Sequence, residues 1–135
     1  MVCIYCHSKT KTTNSRHNVR HNQTWRRKQC ISCNAIFTSR ETADLQSSLR
    51  VKTDSGALES LSRDRLFVDI FGTMSHRKTA LNDASGLTDT ILSQVITESS
   101  NGIVSVQELI KKTTEILTRF DKVAATIYTA HHPAR

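Results

Sequence analysis

Four cysteines stand in the first 33 residues as two pairs, Cys3-x-x-Cys6 and Cys30-x-x-Cys33, with 23 residues between them. A two-residue spacer lets both thiolates of a pair approach one ion from a tight turn. Two such pairs complete a closed, tetrahedral, all-thiolate shell of the structural kind. The expectation is therefore one structural Zn2+ ion held by Cys3, Cys6, Cys30 and Cys33. A module of roughly forty residues can hardly bury a sufficient core, so the ion supplies much of its folding energy. Other thiol chemistry fits less well. Cys3-Ile-Tyr-Cys6-His7 matches the c-type haem attachment pattern, but haem leaves the second pair unexplained. A redox dithiol belongs at the head of a helix in a larger α/β domain, and two disulfides suit a secreted chain. His7, His17 and His21 read as solvated or phosphate-facing loop residues, because four thiolates already fill the site.

The charge around these cysteines is one-sided. Residues 1–50 hold nine Lys or Arg against two acids, Glu41 and Asp44, and residues 1–40 hold no acid at all. Residues 51–135 balance ten basic with ten acidic side chains, so the net +7 sits entirely in the first part of the chain. Such a segment attracts polyanions and releases counterions when it meets a phosphate backbone. Trp25-Arg26-Arg27-Lys28 runs directly into the second cysteine pair, and Lys9, Lys11, Arg16 and Arg20 precede it. Arginine offers forked donors suited to phosphates and guanine edges. Two roles are open to Trp25: stacking on a base or sugar, or covering a thin core. The candidate nucleic-acid contacts are Arg16, Trp25, Arg26, Arg27 and Lys28. Spacing alone does not separate DNA from RNA.

The elements that must carry these residues follow from the pattern. The interval between the cysteine pairs leaves room for a small hairpin or ribbon. Residues 41–48 are polar and read as a linker. Leu49-Arg50-Val51-Lys52 alternates like a strand, Thr53-Asp54-Ser55-Gly56 signals a turn, and Ala57 to Leu61 returns. Ser62 caps a helix with Leu66, Phe67, Ile70, Phe71 and Met74 on its apolar stripe. A second helix is predicted from about Gly86 to Ser99, with Leu87, Ile91, Leu92, Val95 and Ile96 inward and Asn101-Gly102 as its stop. Ser105-Val-Gln-Glu108 is a capping box opening a third helix, whose face is Val106, Leu109, Ile110, Leu117 and Phe120. Asp121 caps a last helix carrying Val123, Ala124, Ile127 and Tyr128. The expected fold class is a small β zinc ribbon, residues 1–45, followed by an α+β domain of a β-hairpin and about four helices, residues 49–132.

The chain shows no internal repeat, glycine-rich phosphate loop, paired-carboxylate site or nucleophile–base constellation, and a four-thiolate zinc keeps no open position, so no enzyme is expected. No apolar run reaches bilayer-spanning length, and the opening Met-Val-Cys-Ile-Tyr-Cys lacks the apolar stretch of a secretory signal. The expected location is the cytoplasm, with no membrane partner.

The layout resembles the bacterial NrdR family, transcriptional repressors of ribonucleotide reductase genes built from a zinc ribbon and an ATP-cone. In the ribbon the resemblance rests on Cys3-x-x-Cys6, Ser15-Arg16, Arg26-Arg27-Lys28-Gln29-Cys30-x-Ser32-Cys33 and Phe37-Thr38-x-x-Glu41. Beyond it, Val51-Lys52, Glu59-x-Leu61-Ser62-x-x-Arg65-Leu66, Val104-Ser105 and Phe120-Asp121-Lys122-Val123-Ala124 resemble segments of the cone.

The resemblance implies an ATP-cone that binds ATP or dATP as allosteric ligands, with Val51, Lys52, Glu59, Arg65 and Tyr128 as nucleotide-binding residues. It implies a homo-oligomer whose assembly the nucleotide controls, ribbons aligned on paired operator boxes of double-stranded DNA, and a nucleoid-associated location. The chain departs from the family in the cone. Arg65 stands for a Lys, Ala125 for a Tyr and Ile127 for an Arg, and His132 stands near a Tyr. The alternative expectation is a constitutive zinc-ribbon nucleic-acid binder whose cone only oligomerises.

Overall fold

The computed structural model describes residues 1–133. They form two compact units, the first spanning Met1–Asp44 and the second beginning at Leu45.

The first unit is a three-stranded antiparallel sheet in the order β1-β2-β3, with β1 Thr10–Asn18, β2 Gln23–Cys30 and β3 Ile36–Glu41. Its strands have few apolar residues to bury, and the shielded core reduces to Cys3, Cys30 and Phe37 with Ala35 against them. The sheet therefore draws its order from backbone pairing and from whatever binds the cysteines. The first hairpin carries a β-bulge. Thr12 pairs with Lys28, but Asn14 pairs with Arg27, which leaves Thr13 as the extra residue. The Thr13 hydroxyl donates to the Arg27 carbonyl at 3.2 Å.

The second unit opens with a short helix, α1 Leu45–Ser48, where the sequence suggested only a linker. Next come β4 Arg50–Lys52 and β5 Leu58–Ser60, an antiparallel hairpin closed through Gly56 at φ +85°. Helix α2 Arg63–Phe71 follows, capped by the Ser62 hydroxyl, which accepts from the Arg65 N–H at 3.2 Å. Helix α3 spans Ala80–Glu98. It starts six residues earlier than the apolar pattern indicates, because its first turns carry exposed Leu81 and Asn82 and a half-buried Asp83, while Ala84 alone is buried.

Asn101 and Gly102 take positive φ, and the chain then forms a strand that periodicity did not reveal, β6 Ile103–Ser105, parallel to β4. The sheet order is thus β5-β4-β6. Ser105 opens α4 Val106–Phe120 through the expected capping box, and Asp121 caps α5 Lys122–His131 by accepting from the N–H groups of Val123 and Ala124.

One core joins these elements, including Leu49, Leu61, Leu66, Ile70, Met74, Ile91, Leu92, Val95, Val104, Leu117, Ala124 and Tyr128. Phe71, Ile96, Phe120 and Val123, expected inward, are exposed. Phe71 stacks on Phe67, and Phe120 lies under the Arg77 guanidinium, 4.6 Å from the ring centroid. No helix among the described residues is long and apolar enough to cross a membrane.

Candidate metal centre, basic sheet face and helical-unit cavity

The four cysteines converge. Their Sγ atoms all lie within 4.8 Å of one another, although 30 positions separate Cys3 from Cys33. Sγ of Cys3 is 3.7 Å from that of Cys33, and Sγ of Cys6 is 3.4 Å from that of Cys30. Four sulfurs at ~2.3 Å around one tetrahedral zinc stand ~3.8 Å apart, so the donor set fits one Zn2+.

Each pair sits on a knuckle of the same design. Backbone N–H groups of Tyr5, Ser32 and Cys33 donate to Sγ of Cys3 or Cys30 at 3.3–3.4 Å, which favours thiolates. The residue after each pair, His7 and Asn34, takes φ +60° and turns the chain away. His7 is thus a corner residue of the knuckle. Without a cation the sulfurs cannot all ionise together. The Ser8 hydroxyl and N–H draw the Cys6 thiol down to about 6. For Cys33 the Ala35 N–H favours the thiolate, but burial and the neighbouring sulfurs outweigh it and push the thiol up to about 12. A divalent ion removes that conflict.

The basic residues divide by strand alternation, since cross-strand partners share a face and neighbours in sequence do not. Trp25 pairs with Arg16 and Arg40, Arg27 with Asn14 and Thr38, and Gln29 with Lys11. These share one face, which holds four cations and no acid. Arg26 and Lys28 share the other face with Ser15, Thr12, Ser39, Phe37 and Glu41. There Arg26 donates to Ser15 at 3.2 Å and to Glu41 at 3.4 Å, and Lys28 donates to Thr12 at 3.1 Å. The structure therefore brings Arg16, Trp25 and Arg27 together and sets Arg26 and Lys28 apart from them. Sequence reasoning left out Arg40, whose guanidinium lies 4.7 Å from the Trp25 ring centroid. Only the register between β2 and β3 reveals that contact.

The second unit holds a cavity of about 170 Å³ between the hairpin, α2, α4 and α5. Its walls are Val51, Leu61, Leu66, Val106, Leu109 and Ile110, and its polar lining is Ser62, Arg65, Asp69, Tyr128 and His132. Small-molecule sites commonly run to ~300–1,000 Å³, so this one suits a ring rather than a whole nucleotide.

Of the residues implied for a nucleotide, Val51, Arg65 and Tyr128 line this cavity. Glu59 pairs with Val51 on the hairpin but is exposed and outside the lining, and Lys52 stands on the opposite face of its strand from Val51. Tyr128 stacks on His132, with ring centroids 4.2 Å apart, and His132 Nε2 is 4.0 Å from Asp69 Oδ2. Burial raises the Tyr128 phenol above its ordinary value, with the Thr113 side chain opposing the effect and Asp69 adding to it.

Comparison with known proteins bears on this arrangement. Residues 1–41 match the family model described as the N-terminal domain of transcriptional repressor NrdR-like proteins. The chain is 25% identical over 125 residues to the transcriptional repressor NrdR of Chlamydia felis, covering 92% of this chain and 80% of that protein. The same identity and coverage hold for the NrdR of Chlamydia pneumoniae. For that of Chlamydia trachomatis serovar L2 the identity is again 25%, over 92% of this chain and 79% of the relative. The four-cysteine ribbon thus falls inside the matched domain, and the wider similarity runs through the second unit.

Proposed function

We infer that this chain, a member of the NrdR family of transcriptional repressors, binds operator DNA through its zinc ribbon and answers to adenine nucleotide through its second unit. The single observation that carries DNA binding is the sheet face of Lys11, Arg16, Arg27 and Arg40, which bears four cations and no acid. When bound, zinc supplies the crosslink that holds the two knuckles at fixed separation. The strands they anchor then present the cations as a preformed surface, so little conformational entropy is lost on contact with the duplex.

The cavity supports the regulatory half of the reading. Its apolar walls and the Tyr128–His132 stack offer a place for a purine, and Arg65 at its lining offers charge to a phosphate. A nucleotide shifts assembly only by binding one assembly better than another. Several ribbons acting together would then exceed the affinity of one small module. The target genes implied by the family resemblance are those of ribonucleotide reductase, and the site of action is the bacterial cytoplasm at the nucleoid.

Light scattering on the zinc-loaded chain, alone and with ATP or dATP, tests the regulatory half. Duplex-DNA binding across a salt series tests the other. A molar mass that changes with nucleotide, together with DNA affinity that differs between the states, is the expected result. Unchanged mass and no calorimetric heat with either nucleotide would defeat the sensor.

The constitutive binder would then stand, a reading favoured by two observations. Asp69 sits in the cavity lining, and Lys52 lies outside it.

A further inference from the structure

We propose that the Trp25 face is the surface that meets DNA, that Arg40 is a contact residue on it, and that Trp25 is the positioning residue that holds Arg40. Arg26 and Lys28 brace the sheet from behind. The proposal rests on the DNA-binding reading above and deepens it by saying which side of the ribbon does the work.

Three observations carry the division. On the Trp25 face, none of Lys11, Arg16, Arg27 and Arg40 is in an ion pair among the described residues, and all four are exposed. On the opposite face Arg26 is paired with Glu41, and both Arg26 and Lys28 spend a donor on a hydroxyl of the adjoining strand. A phosphate approaching that side meets a carboxylate, whereas one approaching the Trp25 face does not.

The third observation is the clamp itself. The Arg40 guanidinium carbon lies over the Trp25 ring, 4.7 Å from its centroid, so the ring holds the cation by attraction to its π-face, and that contact consumes none of the five N–H donors in a hydrogen bond. The contact therefore holds the side chain while leaving its donors available to a phosphate or a guanine edge. It also covers part of the ring. Trp25 is 44% exposed with Arg40 over it, so its aromatic face is partly occupied by its own neighbour. The indole then acts less as a base-stacking platform than as the seat of the arginine.

The test is the salt dependence of binding of the zinc-loaded full chain to fluorescein-labelled random-sequence duplex DNA. Each lost phosphate contact lowers the slope of log affinity against log salt by about 0.9. The expected result is a slope reduced by about that amount in R27Q and in R40Q, and unchanged in R26Q and K28Q.

W25L and the milder W25F, each checked for zinc content, are combined with R40Q in a double-mutant cycle. If Trp25 acts through Arg40, the loss caused by W25L largely disappears in the R40Q background. Additive losses would overturn the positioning role, since a merely structural tryptophan costs the same with or without Arg40.

Slope losses in R26Q and K28Q but not in R27Q and R40Q would overturn the face assignment, as would a wild type that binds with a slope none of the four changes. A wild type that binds no duplex at any salt is a different result. It defeats the DNA-binding reading itself, and this proposal with it.

Discussion

His76 Nε2 stands 2.8 Å from Asp121 Oδ2, tying the segment before α3 to the junction of α4 and α5. The same oxygen accepts from Arg77 Nη1 at 3.0 Å, while Oδ1 caps α5. These donors, His76 foremost and then the Ala124 N–H, hold the Asp121 carboxyl well below the usual carboxylate range. The folded chain therefore binds fewer protons here than the unfolded one. The stability this group adds is fully present above the unfolded carboxylate value near ~4 and is lost as pH falls through it toward the folded value. Thermal melts of D121N should start below wild type at neutral pH and approach it as the medium is acidified under ~4. A gap that stays constant with pH would contradict the assignment.

Gly102 allows a second test. It sits at φ +71°, and a Cβ built there would lie 2.9 Å from the Ser48 carbonyl oxygen. Its own carbonyl accepts from the Arg50 N–H at 2.8 Å, so the turn cannot move without loosening β4. G102A should cost about 1–3 kcal/mol in urea unfolding from strain at positive φ alone. A neutral substitution would show that the turn relaxes freely.

In the helical core, Leu117 is fully buried. L117A should destabilise the chain by about 2–5 kcal/mol, according to how far its neighbours close the gap. By contrast V123A, at an exposed position of α5, should change stability by less than about 0.5 kcal/mol. Equilibrium denaturation of the pair separates a face that is merely apolar in pattern from one that is buried.

Chelation of zinc, or the single change C6S, should unfold the ribbon while leaving the helical far-ultraviolet signal largely in place. Among the described residues the ribbon's shielded core is three residues with Ala35, against fifteen in the hydrophobic core of the other unit. Structural zinc contributes on the order of 10 kcal/mol to comparable small modules at neutral pH. Emission of Trp25, the sole tryptophan, reports the ribbon alone. Unchanged emission on complete zinc removal would mean that the sheet holds without the metal.

For the cavity, Y128A should weaken dATP binding by about 5- to 150-fold if a base packs there, since stacking of a base on an aromatic is worth about 1–3 kcal/mol. Titration calorimetry reads it directly. Wild-type affinity in Y128A would move the nucleotide elsewhere.

What the sequence made legible were features set by near neighbours. The cysteine spacing specifies its own knuckles, and Ser62, Ser105 and Asp121 announce helices because a cap acts within three residues. What it concealed were features set across the chain. Strand β6 has three residues and no periodicity to detect, and it exists because β4 offers an open edge. Phe120 and Val123 fit an apolar stripe, yet only packing decides which member of a stripe is covered. Within the basic run, Arg26 and Arg27 are equivalent as sequence. Which of them meets Glu41 depends on a register fixed by residues far along the chain.

The neighbouring register, between β1 and β2, turns on the bulge at Thr13. Beyond it β1 is displaced by one residue, which pairs Arg16 with Trp25. In an unbulged hairpin Arg16 would pair with Thr24 and share the side of Glu41, because a one-residue slip inverts every side chain that follows. Parity in β1, odd or even, thus acts as a sorting rule for charge. Losing the single codon for Thr13 would close the bulge into a regular ladder and leave Arg16 opposite Trp25. One further paired residue before Arg16, with the bulge retained, would instead carry it across to Thr24 and the side of Glu41. In comparisons across relatives, a sequence one residue shorter between the first knuckle and Arg16 should therefore lack the bulge and keep the pairing.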